Sequence, residues 1–572
     1  MSGASVREAL RRAERSGRPG LPLGRFRLSR RPGDLLAVLV DEDGGVVFDP
    51  GARIQGAAPS PDGRLVALEV SDDGTETGRV LVVDTSSRTS TEVEGVAVRH
   101  ARMAWAGEDL ILVDAQGRCL RVRRGEPPRT LLTTAAGARV VPIGVGGRMV
   151  IARTDQVRTR LTGADGAGLL DLPRVRSISA AEDTVLAVTS EELVSLRIPG
   201  QGTARCRLET LPGVPVHAQA VPGGGLVHLV GDGHSLVVRL TADAGVLAPA
   251  QTVAISREHD VRTVSGLSWA PGGAWVRIES PAGAPKVMPL EEATGSTSEG
   301  PRSRLITVTP RSRLITVTAE DGAEIELIMT GDPGGATLLE VYGGFGIVDL
   351  PAFEPSVAAW CELGGLHVTA RLRGGGGAGT SWHTSGQGAG KARTVADAVI
   401  VARELVRLGL TRPERLVLAG ASLGGLVAVS AALAEPGLAA GVACTAAPLD
   451  PHNISEHPSA RHWAEEFGDP SDPAVQAAMD DYSPFERARR FPGGRWPRFL
   501  LTTFAEDSRV SAAPTDRLAE VLTARGAQVD RVHRPRMGHG GNHLDAVHDF
   551  AAAVLDFALD AAHDSAHEST GV

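Results

Sequence analysis

The sequence predicts two folds in tandem: a half made of repeated antiparallel β-units, then a half in which strands and helices alternate around a doubly wound, mostly parallel sheet. Three observations carry this. Turn punctuation recurs at Ser60-Pro-Asp-Gly63, Ala106-Gly-Glu-Asp109, Val145-Gly-Gly147, Ala181-Glu-Asp183, Pro222-Gly-Gly224 and Pro271-Gly-Gly273, at spacings of 36 to 49 residues. From Leu314 onward the texture changes to short apolar strands separated by helical patterns. Within that second part, Leu416–Ala419 runs into Gly420-Ala-Ser422-Leu-Gly424 and then into the alanine-rich Leu426–Leu433.

In the first half each unit reads turn, apolar strand, polar break, second strand, as in Arg64–Val70 followed by Arg79–Asp84. A period of about 40–50 residues is that of propeller blades. With Leu35–Phe48 added there are about seven units, so a seven-bladed β-propeller is predicted, with a pair of β-sandwiches as the alternative. The resulting division is residues 1–30, a short N-terminal segment with a helix near Val6–Ser16; 31–300, the propeller; 301–318, a junction; 319–562, the α/β domain; and 563–572, a disordered tail. The junction holds the same nine residues, PRSRLITVT, twice, at Pro301–Thr309 and Pro310–Thr318. It reads as a local duplication giving an extra strand or a linker. In the α/β domain, Thr337–Val341, Leu366–Leu372 and Phe499–Phe504 are predicted strands. Thr394–Leu408, Thr515–Arg525 and Leu544–Ala562 are predicted helices.

Composition excludes several classes. A formal charge of −9 and a pI near 6.0 give no footprint for nucleic acid. No run of 18 apolar residues is present to span a membrane, and Met1–Gly20 is charged, without the apolar core of a signal peptide. Cys119, Cys206, Cys361 and Cys444 form no CxxC pair and read as free, buried thiols in a reducing, cytoplasmic setting. No metal or cofactor is implied.

The chemistry starts from Ser422. With 69 glycines in the chain, a Gly-x-Ser-x-Gly match arises by chance about half a time. Its setting between strand and helix is what gives it weight: in a nucleophile elbow the hydroxyl is exposed above the sheet. A serine needs a base, and the base an orienting acid, in the order Ser, acid, His. Asp507 follows the strand Phe499–Phe504, and His539 sits between small residues in Met537-Gly-His539-Gly-Gly541. Glu506 competes for the acid; His533 continues a strand pattern and His543 starts a helix, so His539 is preferred. An oxyanion donor is expected from the Leu423 N–H. The second must come from an earlier loop. Tyr342, one of two tyrosines, opens the glycine-rich loop Tyr342–Gly346; its phenol is either that donor or mere packing beside the glycines.

Taken together, these pieces resemble the prolyl oligopeptidase family of serine peptidases. The matching segments are Tyr342-Gly-Gly-Phe345, Arg373-Gly-Gly-Gly376 with Trp382-His383, Gly420-Ala-Ser422-Leu-Gly-Gly425, Trp463 with Phe467-Gly-Asp-Pro470, Tyr482-Ser-Pro484, Asp507-Ser-Arg509-Val510 and Gly538-His539-Gly540. The resemblance implies a propeller beside an α/β-hydrolase domain. It implies a triad of Ser422, Asp507 and His539, and an oxyanion hole of Tyr342 with the Leu423 amide. It further implies a proline pocket in which Trp463 stacks on the P1 ring, Arg509 holds a substrate carbonyl, and Phe345, Phe467 and Val510 complete the wall. A flat, rigid pyrrolidine suits an aromatic slot because little entropy is lost on binding.

There are departures: the N-terminal segment is short, Gly377 stands where many members carry an acid, Leu423 replaces a common asparagine, and the propeller is short and poor in aromatics. The implied activity is cleavage of short peptides after proline by a monomeric cytoplasmic enzyme. The rivals are another acyl-peptide hydrolase or esterase, a macrocyclase or leader-processing enzyme acting on a biosynthetic precursor peptide, and a propeller binding protein with a vestigial hydrolase.

Overall fold

The structure, a computed structural model, describes residues 3–14, 18–31, 34, 36–73, 75–134, 138–200, 202–231, 234–256, 261–270, 272–293, 312–460, 463–535, 537–540 and 544–569. The first copy of the nine-residue repeat lies outside the described residues, as does His543.

From Pro22 to Pro289 the chain forms consecutive antiparallel sheets in a propeller-like array. The local cause is visible at Ser60-Pro-Asp-Gly63. Gly63 takes φ +69° and donates to the Ser60 carbonyl at 2.9 Å, and Ser60 Oγ donates to Asp62 Oδ1 at 2.7 Å, so the turn closes and releases Leu65–Ser71 as a strand. Successive sheets are stitched by buried side chains, as where the Trp105 indole N–H donates to the Ala58 carbonyl at 2.8 Å. Among the described residues this part has four four-stranded sheets, one eight-stranded sheet (Ser177–Ala181 through Val246–Ala254) and one three-stranded sheet. The count is six where the spacing predicted seven units. The difference arises at a single parallel pairing, Arg205 with Val246, which joins two groups of four strands.

The second half is an eight-stranded sheet. Its strands are β1 Ser312–Thr318, β2 Glu324–Thr330, β3 Thr337–Val341, β4 Leu366–Ala370, β5 Leu416–Ala421, β6 Gly441–Thr445, β7 Arg498–Phe504 and β8 Val529–Arg534, in the order β1-β2-β4-β3-β5-β6-β7-β8. The pairings β1–β2 and β2–β4 are antiparallel and the remainder parallel. Every residue of β6 is buried, as expected of a strand covered on both faces. The second repeat copy supplies β1, so this sheet begins in the segment that the sequence assigned to a junction.

Two termini differ from expectation. Helix α1, Gly3–Glu14, places Val6, Ala9 and Leu10 on one stripe, and these pack with Trp360, Ala552 and Leu555 of the α/β half. Arg12 Nε donates to Glu362 at 2.7 Å. The last helix, Leu544–Ser569, runs past 562 through most of the segment expected to be a disordered tail. Among the described residues, no helix is long and apolar enough to cross a membrane.

Candidate active site

Ser422 sits at the end of β5 with φ +53° and ψ −127°, outside the range comfortable for an L-residue, and helix α2, Leu423–Ala432, starts directly after it. The flanking glycines explain how so sharp a turn fits. A Cβ on Gly420 would lie 2.1 Å from the Gly424 carbonyl oxygen, and one on Gly424 would lie 2.2 Å from the Val341 oxygen. The Ser422 N–H is spent on the Thr445 carbonyl of β6 at 2.8 Å, which fixes the turn to the neighbouring strand. Leu423 opens α2, so its N–H belongs to the first turn, which lacks intrahelical partners.

Asp507 follows β7. Its Oδ1 accepts from the Arg509 and Val510 N–H groups, both at 2.8 Å, and its Oδ2 meets His539 Nδ1 at 2.8 Å. Both side chains are largely buried. The acid is therefore oriented by its own loop and in turn orients the imidazole. A proton on Nδ1 leaves Nε2 as the acceptor. Among the described residues no hydrogen bond joins Ser422 Oγ to His539; catalytic hydrogen bonds commonly tighten only when substrate is bound. Of the competitors, Glu506 uses its N–H on the Met537 carbonyl at 2.8 Å. His533 lies within β8 and pairs with Thr503 Oγ1 at 3.0 Å.

Tyr342 follows β3 and is half-buried. Burial, then the charges of Glu466 and Asp349, push its phenol up, so it is a hydrogen-bond donor at neutral pH. Tyr342, Ser422, Asp507 and His539 thus all follow the carboxyl ends of strands, where open α/β sheets bind their ligands.

The aromatic residues gather as one cluster. Trp463 and Phe467 have ring centroids 6.3 Å apart and tilted by 43°, and the His457 ring centroid lies 5.4 Å from that of Trp463. Val510 is buried in the same core, and Phe345, at φ +54°, packs against it. Arg509 does not stand free. Its Nη2 contacts Glu76 Oε1 of the propeller-like half at 2.6 Å. Glu76 also binds Arg99, and it accepts from Ser508 Oγ at 3.2 Å.

Sequence reasoning missed Glu76, Glu466, Lys391 and His457. A buried ion pair joins Lys391 to Glu466, on the short helix Ala464–Phe467 beside Trp463. Burial alone would raise the Glu466 carboxyl, but the His383 hydrogen bond and the Lys391 charge outweigh it and hold the group below the ordinary glutamate value. One signal was present: Lys391 and Lys286 are the only lysines among 59 basic residues, so a lysine here marks a position where arginine does not serve. Arg373, one of the residues that carried the family resemblance, proves to be a framework residue, with Nε donating to the buried Asp397 at 2.9 Å.

Fold and site together define an α/β-hydrolase-type domain with Ser422 on a strained strand-to-helix turn, preceded by a propeller-like array. Residues 351–565 match the profile of the prolyl oligopeptidase family. An uncharacterised peptidase of Rickettsia prowazekii is 34% identical over 175 residues, which is 30% of this chain and 24% of the relative. The first curated relatives are thus matched over about a quarter of their own length. Over the whole chain the likeness is structural. A chain from a study of two prolyl endopeptidases and their inter-domain dynamics superposes with a TM-score of 0.83 at 18% identity, covering 98% of this chain and 92% of that one. Prolyl oligopeptidase B of Galerina marginata, bound to a 25mer macrocyclization substrate, superposes with a TM-score of 0.78 at 15% identity, covering 98% and 91%.

Proposed function

We propose that this chain is a serine peptidase that cleaves short peptides on the carboxyl side of proline through an acyl-enzyme. Ser422 Oγ attacks the scissile carbonyl while His539 Nε2 takes its proton. The tetrahedral oxyanion is held by the Leu423 N–H and the Tyr342 O–H. Collapse breaks the C–N bond, and the leaving amine takes the proton from His539. Water then repeats the sequence and releases the acid. Asp507 holds the imidazole throughout. The observation that carries this reading is the Asp507–His539 bond at 2.8 Å, on loops beside an elbow serine.

Trp463, Phe467, Phe345 and Val510 are the proposed wall of the proline slot, and Arg509 the proposed holder of a substrate carbonyl. We read the eight-stranded sheet as two blades, which gives seven units with the three-stranded sheet, covering the triad and admitting only unstructured peptides. The four unpaired cysteines support a cytoplasmic setting, and no cofactor or second subunit enters the scheme.

The test is mass-spectrometric mapping of products from a blocked peptide with single internal Pro, Ala, Arg and Phe residues. Cleavage after proline supports the reading; cleavage confined to arginine or phenylalanine removes it. A second reading, favoured by the macrocyclization substrate held by the Galerina neighbour, has the chain's own substrate amine replace water. A cyclic product in the same spectra would identify it.

A further inference from the structure

The loop after β3 is held in an unfavourable shape. Gly343, Phe345 and Gly346 take φ values of +65°, +54° and +61°, and for phenylalanine that region is strained. Such a conformation persists only where the surroundings impose it. Two buried groups do so. Glu466 Oε2 accepts the Phe345 N–H at 2.9 Å, and Lys391 Nζ donates to the Gly343 carbonyl at 3.2 Å. The two side chains are paired with each other and are 2% and 0% exposed. They grip the backbone on both sides of Gly344, whose missing side chain would lie 2.0 Å from Leu423 Cδ2 and 3.0 Å from Glu466 Oε1. The loop is thus clamped between the elbow and the ion pair.

A buried ion pair is often replaceable by apolar residues at no cost in stability, so stability alone is a weak reason for its presence. Its bonds to the Tyr342–Phe345 backbone give it a specific task. Glu466 also lies between Trp463 and Phe467 in sequence, on one turn of helix.

We propose that Glu466 and Lys391 are positioning residues that set the shape of the oxyanion loop and so aim Tyr342, and that they link that loop to the Trp463–Phe467 side of the substrate pocket. This rests on the serine-acyl reading above, not on its proline preference.

The experiment compares wild type, Glu466→Gln and the double variant Lys391→Met/Glu466→Gln. Three quantities are measured: the second-order rate at which a fluorophosphonate labels Ser422, kcat and KM on a blocked dipeptidyl-proline amide, and thermal unfolding. The fluorophosphonate carries no P1 residue, so it reads the oxyanion loop independently of the proline pocket. Glu466→Gln is expected to slow labelling and kcat about ten- to hundredfold, less than deleting a donor outright, with KM within about threefold. The double variant leaves no unpaired buried charge, so its unfolding temperature should return toward wild type while labelling stays slow. If Glu466→Gln fails to fold, the double variant decides. A double variant labelled at the wild-type rate, or one as unstable as the single variant, overturns the positioning role. Wild type that labels normally but rejects proline defeats the proline reading and leaves this test intact.

Discussion

Arg509 Nη2 and Glu76 Oε1 meet at 2.6 Å, joining the loop that carries Asp507 to the propeller-like half. Glu76 is buried, whereas the Arg509 side chain is 41% exposed. Burial acts to raise the Glu76 carboxyl, but the hydrogen bond from Arg99 and the charges of Arg509 and Arg99 hold it below the ordinary glutamate value. A depressed carboxyl contributes stability above its unfolded value, about 4.3, and loses it as pH falls through the lower folded value. The contact is therefore full at neutral pH and weakens below about pH 4.

Glu76→Ala should accordingly loosen the junction and release Arg509. The expected outcome is a loss of about 1–2 kcal/mol in stability, below the 3–5 of a fully buried pair because Arg509 reaches water. Discrimination against a folded protein displaying the same proline site should fall. The check is kcat/KM on a short peptide against kcat/KM on that folded protein. An unchanged ratio would show that Glu76 does not help close the molecule.

The nucleophile and acid make a second prediction. Ser422→Ala should abolish fluorophosphonate labelling and lower kcat by a factor on the order of 10⁶. Asp507→Asn keeps the shape but turns the imidazole to the wrong tautomer, and should cost about 10⁴. Labelling that survives in Ser422→Ala would locate the nucleophile elsewhere.

Much of this was readable because its causes are local. The bounds Thr337–Val341 read from the sequence agree with the observed strand, because a short run of β-compatible, mostly apolar residues, here with only Glu340 exposed, is a local signal. The strand-to-helix turn was legible because Gly-x-Ser-x-Gly is a local pattern, and the need for Gly420 is met within four residues, at the Gly424 carbonyl; Gly424 itself answers to Val341 of the neighbouring strand. Arg509's partner Glu76, 433 positions away in the chain, left no local mark. Nor did the Lys391–Glu466 pair, 75 positions apart, or the docking of α1 onto Trp360. Such pairings are fixed by tertiary geometry, and neither periodicity nor propensity records them. The merged eight-stranded sheet is similar: one bridge at Arg205 decides it.

A third prediction concerns the pH range between about 4 and 7. Asp349, half-buried, is pushed up to about 7 by burial and by the Glu340 charge, against the opposing charge of Arg371. A raised carboxyl works in the opposite sense to Glu76. The folded state resists ionising a group that the unfolded chain ionises near 4, so stability falls as pH rises from about 4 through 7. Asp349→Asn should flatten this slope. Unfolding temperatures at pH 5, 6, 7 and 8 for both proteins would test it, and parallel curves would assign the slope to another group.

The last prediction concerns specificity, and rests on Trp463 and Arg509. Trp463 is buried and tilted against both Phe467 and His457, which packs the indole in place before substrate arrives. A preformed aromatic wall suits proline, which loses little freedom on binding. The aromatic contact itself is worth roughly 0.5–1.5 kcal/mol, or about 2- to 12-fold over alanine, and burial of the pyrrolidine adds to it. Arg509 acts differently. A charge-assisted hydrogen bond to a peptide carbonyl helps every substrate alike, once the guanidinium is shared with or released by Glu76. Trp463→Ala should therefore erase most of the preference for proline over alanine, arginine and phenylalanine at P1. Arg509→Ala should slow all four substrates and leave their ranking unchanged. The measurement is kcat/KM on four matched blocked dipeptide substrates for wild type and both variants. A Trp463→Ala enzyme with its preference intact would mean that the indole serves the core and that the proline slot lies elsewhere.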